Sequence, residues 1–459
     1  MTRSKPRVTL FTRAATAPAT TLLRATIYAL LGTTLCAAVA LGKPADRQEK
    51  AMVAYVKAHQ EPAIALLEKA VNINSGTMNL TGVRKVGALL APEFEALGFK
   101  TRWVDGAAFG RAGHLVAERQ GKGKGQAKGN HVLLIGHLDT VFEPGSPFQK
   151  AQRTDANTLH GPGTADMKGG IIVALTALAA LKQVNALDDL TLTVVLHGDE
   201  EDSGTPLSLA RATLIEAAKT ADIAIGLENA ADDPTTAVTA RRSAGGWTLK
   251  VTGKTAHSSQ IFTDSVGAGA VYELSRILNG FYTELHGEEY LTFNPGLAAG
   301  SAQLEFTPEP PQATVSGKSN IVAPVAVAAG DLRALTQEQI DRTQERMRKI
   351  VAAHLPQTEA KITFDEGYPP MAPTAGNQRL LEIYDGVSRD LGFGPVTAVN
   401  PRRAGAADIS FAASHVDMAL DGLGLLGGGN HTPKEFADLR NFQIQTQRLA
   451  VLLYRLGRR

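Results

Sequence analysis

Apolar stretches of strand length alternate with helix-length stretches between residues 51 and 229, and this order constrains the fold more than any other feature. Strand-type stretches occupy 114–119, 131–140, 190–202 and 221–229. Apolar residues at helical spacing predict helices over 51–73, 83–97 and 169–184. Strands that alternate with helices predict a doubly wound α/β sheet, which buries its mostly parallel strands between two helical layers.

The pattern changes near Arg242, where strands and helices follow in the order β-α-β-β-α-β. The strand-type stretches are 246–257, 301–309, 325–335 and 360–366, and the helices lie near 266–284 and 336–354. This order is typical of a compact ferredoxin-like (α+β) domain. We therefore predict a catalytic domain in two parts, 43–241 and 371–459, interrupted by an inserted domain at 242–370.

The first 42 residues predict a secretory signal. They contain five basic residues and no acidic one, and the apolar stretch 25–42 ends in small residues. A basic start, an apolar middle and small residues such as Ala38 are typical of a signal peptide, cleaved here after Ala40 or Gly42. The alternative is an uncleaved membrane anchor, because 18 residues approach the length of a bilayer span. We expect the protein in the periplasm or secreted.

The charge balance argues against nucleic acid as a partner. The formal net charge is +2, and without the five basic residues of the signal it is −3. Such a chain lacks the basic surplus of a nucleic-acid-binding domain. The single cysteine, Cys36, lies inside the predicted signal, so the mature protein would contain no thiol. Any metal must then bind to histidine and carboxylate side chains.

Polar residues gather where the predicted strands end, and ligands bind at these ends in doubly wound sheets. GHLDT places His137 and Asp139 two residues apart, although a lone histidine there is more often structural. Asp166, in GPGTADMKGG, precedes a helix and would alone be interpreted as a helix cap. That turn lacks the GK[ST] ending of a nucleotide-binding P-loop.

The motif DEED (199–202) places four carboxylates after a buried strand. Their repulsion is costly unless cations offset it, and a solvated acidic turn is the alternative. Glu228 ends another apolar strand, and His431 follows a glycine run. One candidate set of metal ligands results, namely His137, Asp166, Glu201, Glu228 and His431. Two imidazoles and three carboxylates suit zinc, with cobalt or manganese as alternatives.

Seven motifs occur in an order that is known from one enzyme family. They are GHLDTVF, GPGTADMKGG, DEE, LE, TAHSS, SNIVAP with DLR, and GNHTPKEF. Over residues 50–457 the chain resembles the di-zinc aminoacylase and carboxypeptidase metallopeptidase family, in particular the bacterial glutamate carboxypeptidases. The resemblance implies two zinc ions and an inserted domain that serves as a lid and as the surface of a homodimer.

The resemblance also implies the roles of the five candidate ligands. Asp166 would bridge the two zinc ions, and the peptide bond after it would be cis. His137 and Glu228 would complete the coordination of one ion, and Glu201 and His431 would complete that of the other.

Six further residues match functional positions of the family. Glu200 would be the general base, and Asp139 would orient the first histidine ligand. His257, in KTAHSS, would reach a neighbouring active site and stabilise the oxyanion. Asn320, Arg333 and the backbone of Gly405 would hold the substrate carboxylate, and arginine can do so through two parallel hydrogen bonds.

One segment departs from the family pattern. Where glutamate-specific relatives carry arginines, this chain has EGYPPM (366–371), and neither Tyr368 nor Pro369 can pair with a second carboxylate. Arg402 and Arg403 are candidates to replace that charge. We expect substrates to require a free α-carboxylate beside the scissile amide and to tolerate neutral side chains there.

The sequence therefore predicts a di-zinc hydrolase that cleaves a small peptide next to a free carboxylate, as a carboxypeptidase does. The alternatives with the same chemistry are an N-acyl-amino-acid deacylase and a di- or tripeptidase. A catalytically silent binding protein on this scaffold would lack Glu200 or a ligand, and all of these residues are present.

Overall fold

The fold is that of a computed structural model, which describes residues 46–122, 130–229, 231, 233–308 and 310–458. The predicted signal peptide lies outside these ranges, so it stays a prediction. Among the helices of these ranges, none combines the length and the apolarity that a membrane span requires.

The described ranges contain the following helices and strands. The α-helices are α1 (Arg47–Ala58), α2 (Gln60–Val71), α3 (Leu80–Ala96), α4 (Lys168–Gln183), α5 (Leu207–Ala210), α6 (Ala212–Ala218), α7 (Gly269–Leu285), α8 (Gln337–Ala352), α9 (Ala375–Asp390), α10 (Ile409–Ala413) and α11 (Arg440–Leu456). The β-strands are β1 (Lys100–Asp105), β2 (Gly113–Arg119), β3 (His131–His137), β4 (Gln152–Arg153), β5 (Thr158–His160), β6 (Thr191–His197), β7 (Ile223–Gly226), β8 (Thr236–Ala237), β9 (Gly245–Gly253), β10 (Thr292–Ser301), β11 (Gln303–Pro308), β12 (Pro311–Ser316), β13 (Val325–Arg333), β14 (Thr358–Phe364), β15 (Thr397–Ala398), β16 (Met418–Leu420), β17 (Gly427–Gly428) and β18 (Phe436–Asp438).

A six-stranded sheet forms the centre of the catalytic domain, with the strand order β1-β2-β6-β3-β7-β16. The pairs β6–β3, β3–β7 and β7–β16 are parallel, whereas β1–β2 and β2–β6 are antiparallel. Parallel neighbours need a crossover connection, which explains the alternation of strands and helices in the sequence. The predicted α/β sheet is confirmed, and the carboxyl ends of β3, β6 and β7 lie at one edge.

Two helical layers cover this sheet. Helix α4 is buried along most of its length, and α1, α2 and α11 pack against it. On the opposite face, side chains of α6 and α10 join a cluster with Val116, Leu133 and Val195 of the strands. A helix that is apolar on all sides needs packing partners on all sides, and the sheet and the helices α1, α2 and α11 provide them for α4. The glycine-rich turn leads directly into this buried helix.

The single helix predicted over 51–73 was wrong, because α1 and α2 meet at His59. Pro62 explains the break, since it has no N–H to donate to the carbonyl of Ala58. The first turn of a helix needs no such donor, so α2 can begin just before the proline.

The inserted domain is an antiparallel sheet with the strand order β10-β13-β9-β14, against which α7 and α8 pack. This arrangement agrees with the ferredoxin-like domain predicted from the order of its elements. Its helices and strands lie between Gly245 and Phe364, inside the predicted range 242–370.

The second strand of this domain differs from the prediction. The sheet contains β10, whereas the predicted strand 301–309 contributes β11 to a hairpin with β12. Asn294, Pro295 and Gly296 obscure β10 in the sequence, because such residues are rare in strands. The proline is tolerated because β10 is an edge strand whose register shifts after Pro295.

Two segments, 241–245 and 367–371, join the inserted domain to the catalytic domain, and we call this pair the connector. Reciprocal backbone hydrogen bonds link Arg241 to Met371 at 2.9 and 3.0 Å. Ala244 and Tyr368 form a second reciprocal pair at 3.1 and 2.8 Å. The two segments therefore form one paired unit rather than two independent linkers.

Candidate metal centre

The five predicted ligands converge at the carboxyl ends of the parallel strands. His137 ends β3, Glu201 follows β6, Glu228 follows β7, Asp166 precedes α4, and His431 lies between β17 and β18. The peptide bond between Asp166 and Met167 is cis, as the resemblance implies.

Asp166 lies at the centre of this five-residue cluster. Its Oδ1 is 3.3 Å from Nε2 of His137, and its Oδ2 is 3.1 Å from Nε2 of His431. The first histidine nitrogen is also 3.4 Å from Oε1 of Glu228. The second is 3.2 Å from Oε2 of Glu201. The two oxygens of Asp166 thus face two separate histidine–glutamate pairs.

These separations fit metal ligands. Tetrahedral ligands at zinc–ligand distances of about 2.0–2.1 Å lie about 3.3 Å from one another. The observed contacts span 3.1–3.4 Å. Ligand atoms of His137, Asp166 and Glu201 also lie within 4.8 Å of one another. The cluster offers nitrogen and oxygen donors in the separations that a zinc-type ion requires.

Burial and mutual repulsion make the negative charges of the cluster unfavourable in the absence of a cation. Burial raises the pKa of Glu228 to about 7, and the charge of Asp166 adds to this effect. Burial also raises the pKa of Glu201. Hydrogen bonds with Asp166 and Glu201 raise the pKa of His431 to about 11. Metal ions compete with protons for such donors, so this cluster suits cations.

Asp139 connects the first histidine to the loop after β6. The Nδ1 atom of His137 is 3.1 Å from the carbonyl oxygen of Asp139 and 3.3 Å from its carboxylate. That carboxylate accepts hydrogen bonds from the N–H groups of Glu200 and Glu201, both at 3.1 Å, and from the Thr77 hydroxyl at 2.7 Å. Such partners orient a ligating imidazole. Thr77 carries no sequence motif and was not predicted.

Glu435 is a second supporting residue that the sequence analysis did not identify. Its side chain is 1% exposed, and its carboxylate accepts hydrogen bonds from the N–H groups of Gly163, Ala165 and Asp166 at 3.0–3.1 Å. It follows His431 by four residues. One loop therefore carries a candidate ligand and also holds the turn that presents Asp166.

A cavity of about 320 Å³ adjoins the cluster. Asp166, Glu228 and His431 line it together with Arg403 and Gly405. The carbonyl of Gly405 accepts a hydrogen bond from Nη1 of Arg241 at 2.6 Å. Of the two candidate arginines, Arg403 thus lines the cavity, whereas the guanidinium of Arg402 lies 5.8 Å from the ring centre of Tyr290. The cavity offers room for a substrate beside the candidate ligands.

The remaining predicted residues are not brought to the cluster. Nδ2 of Asn320 is 3.5 Å from Nε2 of His257, whose Nδ1 is 2.9 Å from the Ser259 hydroxyl. Arg333 pairs with Asp331 at 3.0 Å. Within the described ranges, the side-chain hydrogen bonds and ion pairs of these predicted residues stay inside the inserted domain. Their predicted roles require a movement of that domain or a second subunit.

Comparisons with known sequences agree with this geometry. Residues 133–455 match the sequence model of peptidase family M20/M25/M40. Carboxypeptidase G2 from Pseudomonas sp. (strain RS-16) is 27% identical over 441 residues, which cover 95% of this chain and 98% of that protein. Succinyl-diaminopimelate desuccinylase from Acidiphilium cryptum is 35% identical over 116 residues, 25% of this chain and 28% of that protein.

Solved structures share the fold. Aminopeptidase PepT from Bacillus cereus has a TM-score of 0.67 at 18% identity, over 87% of this chain and 99% of that chain. A dinuclear metal-binding peptidase of the M20 family from Bacillus subtilis has a TM-score of 0.59 at 14% identity, over 88% and 99%. Because the family match spans more than half of the sequence, this chain belongs to peptidase family M20/M25/M40 and is a metal-dependent hydrolase.

Proposed function

We propose that this protein is a carboxypeptidase that uses two zinc ions to cleave an amide bond next to a free carboxylate. The observation that carries the proposal is the placement of Asp166, whose two oxygens face two histidine–glutamate pairs. A carboxylate in that position suits a ligand shared by two ions. His137 and Glu228 would hold one ion, and His431 and Glu201 would hold the other.

Bound zinc would polarise the scissile carbonyl and lower the pKa of water. The chain itself supplies the proton transfer. Glu200 precedes the ligand Glu201 and would accept a proton from the attacking water as the new C–O bond forms. It would then give this proton to the amide nitrogen as the C–N bond breaks. His257 would donate a hydrogen bond to the oxyanion after the inserted domain, or that of a second subunit, closes over the site.

The similarity to carboxypeptidase G2 along nearly the whole chain supports this substrate class. The partial similarity to succinyl-diaminopimelate desuccinylase favours a second candidate, an N-acyl-amino-acid deacylase. Both reactions release an amino acid from an amide bond, so they differ in the acyl group rather than in the proton transfers.

Hydrolysis of a substrate panel by the zinc-loaded protein tests the proposal. The panel contains N-blocked dipeptides, N-acyl amino acids and free dipeptides, each as the free acid and as the C-terminal amide. A carboxypeptidase should cleave the N-blocked dipeptide acids, whereas a deacylase should prefer the N-acyl amino acids. Equal rates on free acids and amides would contradict both candidates and would favour an aminopeptidase.

We expect kcat/KM to fall by a definite factor when the α-carboxylate of the substrate is removed. A charge-assisted contact contributes roughly 1.5–3 kcal/mol, so amidation should lower kcat/KM at least about tenfold. Arg333→Ala should lower kcat/KM on the acid by a similar factor and change the amide little, because both changes remove the same contact. Arg342→Ala is the control, since that arginine pairs with Glu288 in the same domain.

We also propose that the enzyme acts in the periplasm or outside the cell, on the basis of residues 1–42. Intact-mass spectrometry of protein isolated from cells should show a chain that begins at Leu41 or Lys43. A mature chain that still contains the first 40 residues would contradict cleavage and would favour the membrane anchor.

A further inference from the structure

The side chain of Tyr368 extends from the connector into the catalytic domain. Its hydroxyl oxygen is 3.2 Å from the carbonyl oxygen of Glu200 and 3.2 Å from Oδ1 of Asp408. It is 2.6 Å from Nη2 of Arg211 and 3.1 Å from the Ser203 hydroxyl. The side chain of Tyr368 therefore contacts the loop after β6.

Arg211 fixes the place of this hydroxyl. The guanidinium is fully buried and donates to Oδ1 of Asp199 at 2.9 Å and to Oδ1 of Asp408 at 2.7 Å. Its Nη2 atom donates to the Asp199 carbonyl at 3.0 Å, to the Ser203 hydroxyl at 2.9 Å and to the phenol oxygen at 2.6 Å. Since Arg211 has only donors, the single phenol proton points to one of three acceptors, namely the Glu200 carbonyl, Oδ1 of Asp408 or the Ser203 hydroxyl. Burial raises the pKa of Tyr368 well above its usual range, so the hydroxyl keeps that proton.

Glu200 is held through its backbone on both sides. Its N–H donates to Asp139 at 3.1 Å, and its carbonyl oxygen lies 3.2 Å from the Tyr368 hydroxyl. Within the described ranges no hydrogen bond reaches its carboxylate. The backbone of Glu200 is therefore held by two contacts, one from the loop after β3 and one from the connector.

We propose that Tyr368 is a positioning residue that ties the connector to the backbone of Glu200 and so directs the proton-transferring carboxylate. The inference rests on the proposed function of Glu200. The backbone pairing of Tyr368 with Ala244 makes both connector segments part of this link. A displacement of the inserted domain would thus change the position of Glu200 through the contact of its carbonyl with the Tyr368 hydroxyl.

Amide hydrogen exchange of the zinc-loaded protein tests the link without any substrate. Tyr368→Phe removes the hydroxyl and leaves the ring, which packs 4.9 Å from the ring of Phe411. Exchange in peptides that cover 199–204 should become at least about threefold to tenfold faster, because this loop loses its hydroxyl contacts at Glu200 and Ser203. Tyr384→Phe, which removes a buried hydroxyl bonded to Gln445, is the matched control and should not affect these peptides. Unchanged exchange at 199–204 in Tyr368→Phe would overturn the proposal.

Kinetics separate positioning from a purely structural role. Tyr368→Phe should lower kcat about threefold to tenfold, change KM less than about twofold, and leave the zinc content unchanged. In a Glu200→Gln background the same substitution should not alter the residual rate, because the hydroxyl acts through Glu200. An unchanged kcat, a loss of zinc, or a further loss of rate in the Glu200→Gln background would each contradict the inference. If the wild-type protein cleaves no member of the panel, the proposed function fails, and the exchange result still decides the role of Tyr368.

Discussion

Two histidines of the predicted site, the candidate metal ligand His137 and the predicted oxyanion donor His257, lie in very different surroundings. His137 is 1% exposed and lies within 3.4 Å of three carboxylates. His257 is exposed and contacts Ser259 and Asn320 of its own domain. The candidate metal ligands are thus assembled within one domain, whereas the side chains predicted to bind the substrate lie on another.

This difference has a physical reason. Metal ligands must be held close together despite their repulsion, and the ends of buried parallel strands provide rigid positions for them. A substrate must enter and leave, so the groups that surround it are better placed on a domain that can move. We infer that chemistry and substrate capture are divided between the two domains.

Glu200→Gln gives the largest expected effect and tests whether the metal centre and the proton transfer are separable. The amide keeps the shape of the side chain but cannot accept a proton, so kcat should fall about 10²–10⁴-fold. The zinc content, measured by inductively coupled plasma mass spectrometry, should stay the same. Glu201→Gln is the comparison variant, since loss of a ligand should lower the zinc content. A parallel loss of zinc in Glu200→Gln would make Glu200 a ligand.

His257→Ala tests the contribution of the inserted domain. Loss of an oxyanion donor should lower kcat about 10²–10³-fold without loss of zinc, because His257 does not contact the cluster. Steady-state kinetics and metal analysis measure both quantities. An unchanged kcat would remove His257 from the mechanism.

Mixed subunits then show which chain supplies this histidine. In a homodimer that exchanges His257 between subunits, co-assembly of His257→Ala with Glu200→Gln chains rebuilds one intact site, with up to about a quarter of wild-type activity. No recovery in a proven mixed dimer would mean that the inserted domain closes over its own active site.

Glu435→Gln should have a smaller effect, confined to the metal centre. Glutamine keeps one acceptor oxygen but places an NH₂ group against one of the backbone N–H donors of residues 163–166. Zinc affinity should fall about 10–100-fold, as is typical when a residue that supports a ligand is changed. Competition with a chelator measures this affinity. Glu49→Gln is the control, because Glu49 is also buried and accepts a backbone N–H far from the cluster. Equal affinities for the two variants would exclude Glu435 from supporting the metal site.

The sequence predicted the sheet and the convergence of the five candidate ligands because both leave local signatures. Buried parallel strands appear as continuous apolar runs, and their ends carried the polar residues. The break at His59 was missed because the spacing of apolar residues does not show the N–H group that Pro62 lacks. Strand β10 was missed because Asn294, Pro295 and Gly296 are rare in strands. In β10 the edge position tolerates Pro295, and edge positions are not visible in a sequence.

The supporting residues were harder to predict for another reason. Glu435 and Thr77 act through hydrogen bonds to segments far away in the chain, and a lone polar residue in a loop indicates no particular partner. For Tyr368, the sequence showed what the residue could not bind but not where its side chain points. Only the packing of the connector against the catalytic domain determines that direction.

Anomalous X-ray diffraction at the zinc absorption edge, from crystals of the zinc-loaded protein, tests the proposed metal centre most directly. We expect two peaks in each chain, one beside His137 and Glu228 and the other beside His431 and Glu201, with Asp166 between them. A single peak, or peaks held by other side chains, would contradict a centre built on a shared Asp166.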